Sequence, residues 1–251
     1  MSEQTTFVIG DTHGHIDRLE ALFHKANLSK DVRVIHVGDV GHYGIRDYPK
    51  GDLDCWEFVH KNNIEVIWGN HDIAIFLDRH RFLGQGIPRE ETIKLIGTMF
   101  LENRLNFAAS ANGYLITHAG LHPNYFTNVE LEMLLEDVSL INGEKVKISP
   151  GSDEMEKWIE TSTGRYSCIH DISGHRGGNQ RQGGILWRDH DEKLADIPQI
   201  FGHSSRINVT TCGIDNKSYN IDIGNKDNGR LAGIFLPSLE IVEINNNEIS
   251  S

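Results

Sequence analysis

Five short runs of mostly β-branched and aromatic residues each stop at small residues accompanied by Asp, Asn or His. Phe7-Val8-Ile9 is followed by Gly10-Asp11-Thr12-His13-Gly14, Val34-Ile35-His36-Val37 by Gly38-Asp39, and Val66-Ile67-Trp68 by Gly69-Asn70-His71-Asp72. Leu115-Ile116-Thr117 leads into His118-Ala119-Gly120, and Ile200-Phe201 into Gly202-His203-Ser204. Such runs read as buried strands. In open α/β sheets the crevice beyond the carboxyl ends of the strands is where ligands sit, so these polar residues can converge on one point.

The segments between the early runs have helical period. Ile16, Leu19, Leu22, Phe23 and Ala26 share one face, as do Leu53, Trp56 and Val59. Strand alternating with helix predicts a largely parallel sheet with covering helices. A further helix is expected from about Val129 to Leu140, with Leu131, Leu134, Leu135 and Val138 as its apolar set. Pro198 places the run Ile197–Phe201 at a sheet edge or at a strand start. Towards the end, Val209–Thr211, Tyr219–Ile223, Leu231–Phe235 and Glu240–Ile244 read as an antiparallel meander, with Lys226–Gly229 as a turn. Residues 142–184 are rich in Gly, Ser and Asp and read as long loops with one helix near Asp153–Glu160. The expectation is one domain over residues 1–251, mixed α/β, with a second, antiparallel-rich sheet over about 205–245.

Composition narrows the function. Lys plus Arg number 24 against 36 Asp plus Glu, a formal charge of −12. A surface this acidic repels a phosphate backbone, which argues against a general nucleic-acid coat or a polybasic membrane patch. Cys55, Cys168 and Cys212 are odd in number and far apart, so neither a disulfide framework nor a cysteine zinc module is expected. The polar opening Met1–Thr6 lacks the layout of a signal peptide, and no apolar run approaches the ~20 residues that span a bilayer. A cytoplasmic location is the expectation.

Brought together, Asp11, His13, Asp39, Asn70, His118 and His203 offer carboxylate, imidazole and amide donors without thiolate, a set suited to Mn, Fe, Zn or Mg. One carboxylate shared by two cations ~3.5–4 Å apart is an arrangement that hydrolyses phosphoesters. Any single Gly-Asp pair is ordinary turn chemistry, and a lone His is more often a hydrogen-bonded structural residue. His36 accordingly reads as strand packing, and His24 and His60 as solvated helix faces. The weight rests on five such elements in order, each at a strand end.

In that order the residues resemble the calcineurin-like metallophosphoesterase superfamily: Gly-Asp-x-His, Gly-Asp, Gly-Asn-His-Asp, a lone His, then Gly-His. Within it the chain is most similar to the phosphoprotein (serine/threonine) phosphatase and symmetrical diadenosine tetraphosphatase branch. His118-Ala119-Gly120-Leu121, Ile185-Leu186-Trp187-Arg188-Asp189 and Ile221-Asp222-Ile223-Gly224 resemble that branch's blocks, and Ser205 stands where other branches carry a second His. The resemblance implies a four-layer α-β-β-α sandwich with two central mixed β-sheets. It implies one metal on Asp11, His13 and Asp39, and a second on Asp39, Asn70, His118 and His203. A hydroxide shared by the metals would attack phosphorus in line. It further implies His71 as general acid and Asp72 as the residue that positions His71 or its loop. Direct ligation by His71 is disfavoured, because consecutive residues Asn70 and His71 point in different directions.

The family's Gly-Asp-x-x-Asp-Arg-Gly reads here Gly38-Asp39-Val40-Gly41-His42-Tyr43-Gly44, so a phosphate-gripping Arg is missing from its place. His42 and Tyr43 stand there instead, and Arg46, Arg176 and Arg181 are candidate substitutes, each of which taken singly also reads as solvated surface arginine. The expectation is a phosphoester hydrolase with two divalent ions, manganese first and Fe, Zn or Mg also compatible, acting on a phosphoprotein, nucleotide or small phosphoester. Phosphomonoesterase comes first, protein phosphatase second and dinucleotide tetraphosphatase third. A non-catalytic phosphate-binding module is the alternative from another class.

Overall fold

The computed structural model describes residues 4–41, 51–76, 90–142, 167–224 and 230–249. The first apolar run forms β1 (Thr6–Ile9), which is buried along its whole length. It pairs in parallel with β2 (Arg33–His36), Thr6 facing Arg33 and Ile9 facing His36, and antiparallel with β10 (Leu231–Leu236). β3 (Glu65–Ile67) and β4 (Leu105–Asn106) extend the parallel side and β11 (Ile241–Ile244) the antiparallel one, giving a six-stranded sheet ordered β11-β10-β1-β2-β3-β4. The second sheet has five strands. Its members are β5 (Ala109–Ala111), β6 (Tyr114–Ile116), β7 (Gln199–Phe201), β8 (Thr210–Cys212) and β9 (Ser218–Asn220), ordered β5-β6-β7-β9-β8. Both sheets are mixed, as expected.

Period-two alternation divides the apolar side chains between layers. Val8, Ile35, Val37 and Ile67 of the first sheet meet Ile116 and Ile200 of the second in the seam between the sheets. Phe7, Ile9, Val34 and Val66 point the other way, into a cluster with Leu19 and Leu22 of α1 (Ile16–Ala26), Trp56 and Val59 of α2 (Gly51–Lys61), and Ile96 and Met99 of α4 (Glu90–Leu101). α3 (Asn70–Phe76) begins directly after β3. α4 is an addition to the expected helices.

Two expectations change, and one of two alternatives is selected. The helix over Val129–Leu140 is two short helices, α5 (Asn128–Met133) and α6 (Ser139–Asn142). Thr127 and Glu130 form a capping box that starts α5, and Asp137 accepts from the Ser139 N–H and hydroxyl to start α6 afresh. The expected C-terminal sheet also divides. β8 and β9 form an antiparallel pair in the second sheet, whereas β10 and β11 join the first. Local pattern is identical in both places, so only long-range pairing separates them. Pro198 precedes β7, which is a central strand, so the proline marks a strand start. The helix expected near Asp153–Glu160 and the Lys226–Gly229 turn lie outside the described residues.

The strands carry their loops to one edge, and buried side chains fix those loops there. Gln199, fully buried on β7, accepts from the Leu121 N–H (2.8 Å) and donates to the Ala195 carbonyl (3.1 Å), tying down the segment after His118. Gln199→Leu leaves the Leu121 N–H without a partner and the Ala195 carbonyl with the Ile197 N–H alone. The expected loss is ~1–3 kcal/mol of unfolding free energy, read from the urea midpoint at unchanged slope.

Candidate active site

Backbone hydrogen bonds join the loops after β1, β2 and β3. Thr12 and His13 donate to the Asp39 carbonyl (3.2 and 2.8 Å), and Gly14 to that of Val40 (2.8 Å). Asp72, fully buried in the first turn of α3, accepts through Oδ2 from Asp39 N (2.7 Å) and Gly69 N (3.1 Å), and through Oδ1 from Gly41 N (3.3 Å). The His71 N–H donates to Asp39 Oδ1 (3.0 Å) and the His203 N–H to Asp11 Oδ2 (3.0 Å). Glycine is required where these loops meet: a Cβ on Gly69 would lie 2.1 Å from Asp39 Oδ1, and one on Gly202 1.8 Å from Asp11 Oδ1. His13, Asp39 and His203 have positive φ (51°, 53° and 68°), a conformation costly for residues with a Cβ and one that clusters at functional sites.

The donor atoms then converge. Asn70 Oδ1 lies 2.9 Å from His118 Nε2 and 2.9 Å from His203 Nδ1, and those two nitrogens are 3.1 Å apart. His118 Nδ1 is 2.9 Å from the Val37 carbonyl oxygen, which assigns the ring proton to Nδ1 and leaves a lone pair on Nε2. An imidazole lone pair facing an amide oxygen at this distance calls for an electrophile between them, and a cation meets that need. Asp39 Oδ2 is 3.6 Å from His118 Nε2 and 3.9 Å from His71 Nε2. It therefore belongs to two donor groups, His13–Asp39–His71 and Asp39–His118–His203, each with its atoms within 4.8 Å of one another. Asp11 Oδ1 and His203 Nε2 are buried with no hydrogen-bond partner among the described residues. This set fits a borderline-to-hard divalent cation.

The electrostatics agree. Burial, then neighbouring Asp222 and Asp39, pushes the Asp11 carboxyl well above the usual range, and burial followed by Asp72 does the same to Asp39. Burial raises Asp72 to about 7 and Asp222 to about 6. Burial also lowers His118 to about 3 and, with the His118 ring beside it, drives His203 well down, so both rings are neutral donors at neutral pH.

Of the six residues expected to hold metal, His13, Asp39, His118 and His203 fall in the two donor groups, Asn70 Oδ1 joins the second, and Asp11 lies beside it through the His203 N–H. The first group also takes in His71, expected as a non-ligand, whose ring is 5.3 Å from that of His13 (centroid to centroid) and roughly perpendicular to it. The carboxylate of Asp72 braces the loops that carry Asp39 and Asn70. Arg176 bonds Ser204 Oγ (2.6 Å) and pairs with Asp189 Oδ2 (2.7 Å). Arg181 is exposed, and His42, Tyr43 and Arg46 lie outside the described residues. Two features escaped the sequence. Asp222 follows β9 as a strand-end carboxylate, the same signal as Asp11 and Asp39. His36 is not merely packed: its Nδ1 accepts from Gly38 N (3.1 Å), so its Nε2–H donates to Thr12 Oγ1 (2.6 Å), bridging the first two loops.

Residues 5–218 match the family described as calcineurin-like phosphoesterase. The chain belongs to that family, and so to a class of metal-dependent phosphoester hydrolases. Over 135 residues it is 28% identical to a symmetrical bis(5'-nucleosyl)-tetraphosphatase of Actinobacillus pleuropneumoniae serotype 3, covering 48% of this chain and 46% of that protein. The chain thus matches about half the length of this curated relative. In fold it is similar to a structure provisionally described as a diadenosine tetraphosphatase (TM-score 0.55, 16% identity, 97% and 94% of the two chains). It is also similar to a protein serine/threonine phosphatase from Saccharomyces cerevisiae with similarity to human phosphatase PP5 (TM-score 0.50, 15% identity, 97% and 79%). Among the described residues no helix is long and apolar enough to cross a membrane.

The buried groups set a pH dependence for the metal-free protein. Above about pH 6.5 unfolded histidines are neutral and unfolded carboxyls ionised, while folded Asp72 still holds its proton up to about 7. The folded state then binds more protons, so stability falls as pH rises through 7. Below about 6.5 the buried neutral His36, His118 and His203 act in the opposite sense, because the unfolded chain takes up protons they refuse. The expected result is a thermal midpoint that drops on the alkaline side without metal and a much flatter profile with saturating manganese, measured by calorimetry.

Proposed function

We propose that the chain is a phosphomonoesterase acting at this crevice with two divalent cations, manganese first among Mn, Fe, Zn and Mg. The observation that carries this is the position of Asp39, whose carboxylate belongs to both donor groups. Asp11, His13 and Asp39 hold one cation in this proposal, and Asp39, Asn70, His118 and His203 the other. When bound, such ions draw a phosphate to an acidic protein and make water nucleophilic at neutral pH.

The chain's own groups do the rest. His71, held through its backbone by Asp39, gives the proton from its ring to the departing oxygen. Asp72 keeps that loop in register through its three N–H partners. Arg176 takes the place of the family's missing guanidinium: Ser204 and Asp189 aim it beside His203, and its charge is felt at His118, His203 and Asp222. Its fork suits two phosphoryl oxygens.

His71→Asn is expected to lower turnover of an alkyl phosphate by about 100-fold or more and that of p-nitrophenyl phosphate far less, since p-nitrophenolate leaves without protonation. Equal losses on both would refute the general-acid role. No turnover on any phosphoester with Mn, Fe, Zn or Mg would leave a phosphate-binding module. The similarity to symmetrical tetraphosphatases favours a second reading, hydrolysis of a dinucleoside polyphosphate. A panel of phosphopeptides, small monoesters and diadenosine tetraphosphate ranks the three substrate classes by kcat/KM.

A further inference from the structure

We propose that the outer face of the second sheet carries a separate pocket for a tetrahedral oxyanion, inorganic phosphate or the phosphate end of a small organic molecule. A cavity of about 180 Å³ opens there, floored by Phe201, Thr210, Cys212 and Asn220 and walled by Arg188 and Arg206. Phe201 and Asn220 alternate with Ile200 and Ile221, which face the seam between the sheets, so the cavity lies on the far side from that seam.

Its charge is the argument for an anion. Arg188 is 2% exposed, and its donors go to the carbonyl oxygens of Ala119 (2.9 Å), Asp189 (2.9 Å) and Glu192 (2.8 Å), with the Phe201 ring centroid 5.0 Å from its guanidinium carbon. Carbonyls satisfy N–H groups but leave the net charge in place, and a buried charge without a counter-charge is costly. Arg206, whose backbone is fixed by the Asp222 carbonyl (2.9 Å), likewise makes no ion pair with a described carboxylate. Glu192 on the rim, whose two oxygens accept from Gly183 N (2.7 Å) and Asp189 N (3.3 Å), makes no ion pair with either arginine among the described residues, and as a single carboxylate against two guanidinium groups it leaves the cavity lining net positive. His190 is engaged with Asp189 and Asp191. Two guanidinium groups facing one cavity suit an oxyanion, and Phe201 and Leu194 leave room for a carbon substituent.

The pocket adjoins the crevice without sharing its donors. Trp187, next to Arg188, sets its ring at 83° to that of His203 with centroids 6.0 Å apart, and Ser204 and Ser205 join His203 to Arg206. Neither arginine takes part in the proposed hydrolysis.

Cys212 supplies a local reporter, because it lines the cavity while Cys55 and Cys168 are buried. In manganese-loaded protein at constant ionic strength, alkylation of Cys212 by iodoacetamide, followed by peptide mass spectrometry, is expected to slow saturably with inorganic phosphate. The slowing should reach about tenfold at ten times the dissociation constant, with chloride inert. Phenylphosphonate, which cannot be hydrolysed, separates the two sources. Stronger protection than by phosphate assigns an organic ligand, and weaker protection assigns the free ion. Arg206→Ala should abolish the protection, judged as the ratio of rates with and without phosphate. Asp39→Asn, which disables the crevice, should retain it, so failure here is distinct from failure of the hydrolase assignment. Absence of protection by both anions, or undiminished protection in Arg206→Ala, would overturn the proposal.

Discussion

Four carboxylates, Asp11, Asp39, Asp72 and Asp222, are buried within electrostatic reach of one another, and the rest of the site depends on how their mutual repulsion is met. Each buried ion costs several kcal/mol unless something offsets it. Backbone N–H groups offset part: Asp72 takes three, Asp39 one from His71, Asp11 one from His203 and Asp222 one from Gly224. These bonds also give the loops their shape, so the groups that define the geometry are the groups that strain it. A divalent cation bound as proposed would resolve the conflict, since it favours the ionised carboxylate and the unprotonated imidazole that burial already enforces at His118 and His203.

Much of this was legible from the chain. A strand buried on both faces reads as an unbroken apolar run, and where the run stops at glycine and a polar residue the strand has reached its crevice, as with Ile9-Gly10-Asp11 and Phe201-Gly202-His203. What escaped has a common cause, partnership across long sequence separations. His36 looks like strand filling because Thr12, its partner, lies 24 positions away. The sheet taken by β10 and β11 depends on β1, more than two hundred residues earlier in the chain. The break between α5 and α6 depends on Asp137, a residue that also suits an uninterrupted polar helix face.

Where this chain departs from its family, the structure shows the neighbouring resources. The branch it resembles carries an Asp-Arg pair after the second Gly-Asp where this sequence has His42 and Tyr43, while a loop from the other half of the chain brings Arg176 onto Ser204, next to His203. Arg188, in the Leu-Trp block, is spent on backbone carbonyls and faces away from the seam. Arginines close in sequence thus take different partners.

The two sheets contribute unequally to the crevice: Asp11, His13, Asp39 and Asn70 come from the first, His118 and His203 from the second. The seam holding the sheets in register is made of Val, Ile and Ala side chains, whose attraction has no directional preference. In the proposed site, an ion grasped from both banks would act as a rivet through that greasy joint. Slippage of one sheet over the other would break the His118–Val37 and His203–Asp11 hydrogen bonds together with that coordination. The crevice is therefore a gauge of sheet alignment, because its donors reach it from both sheets.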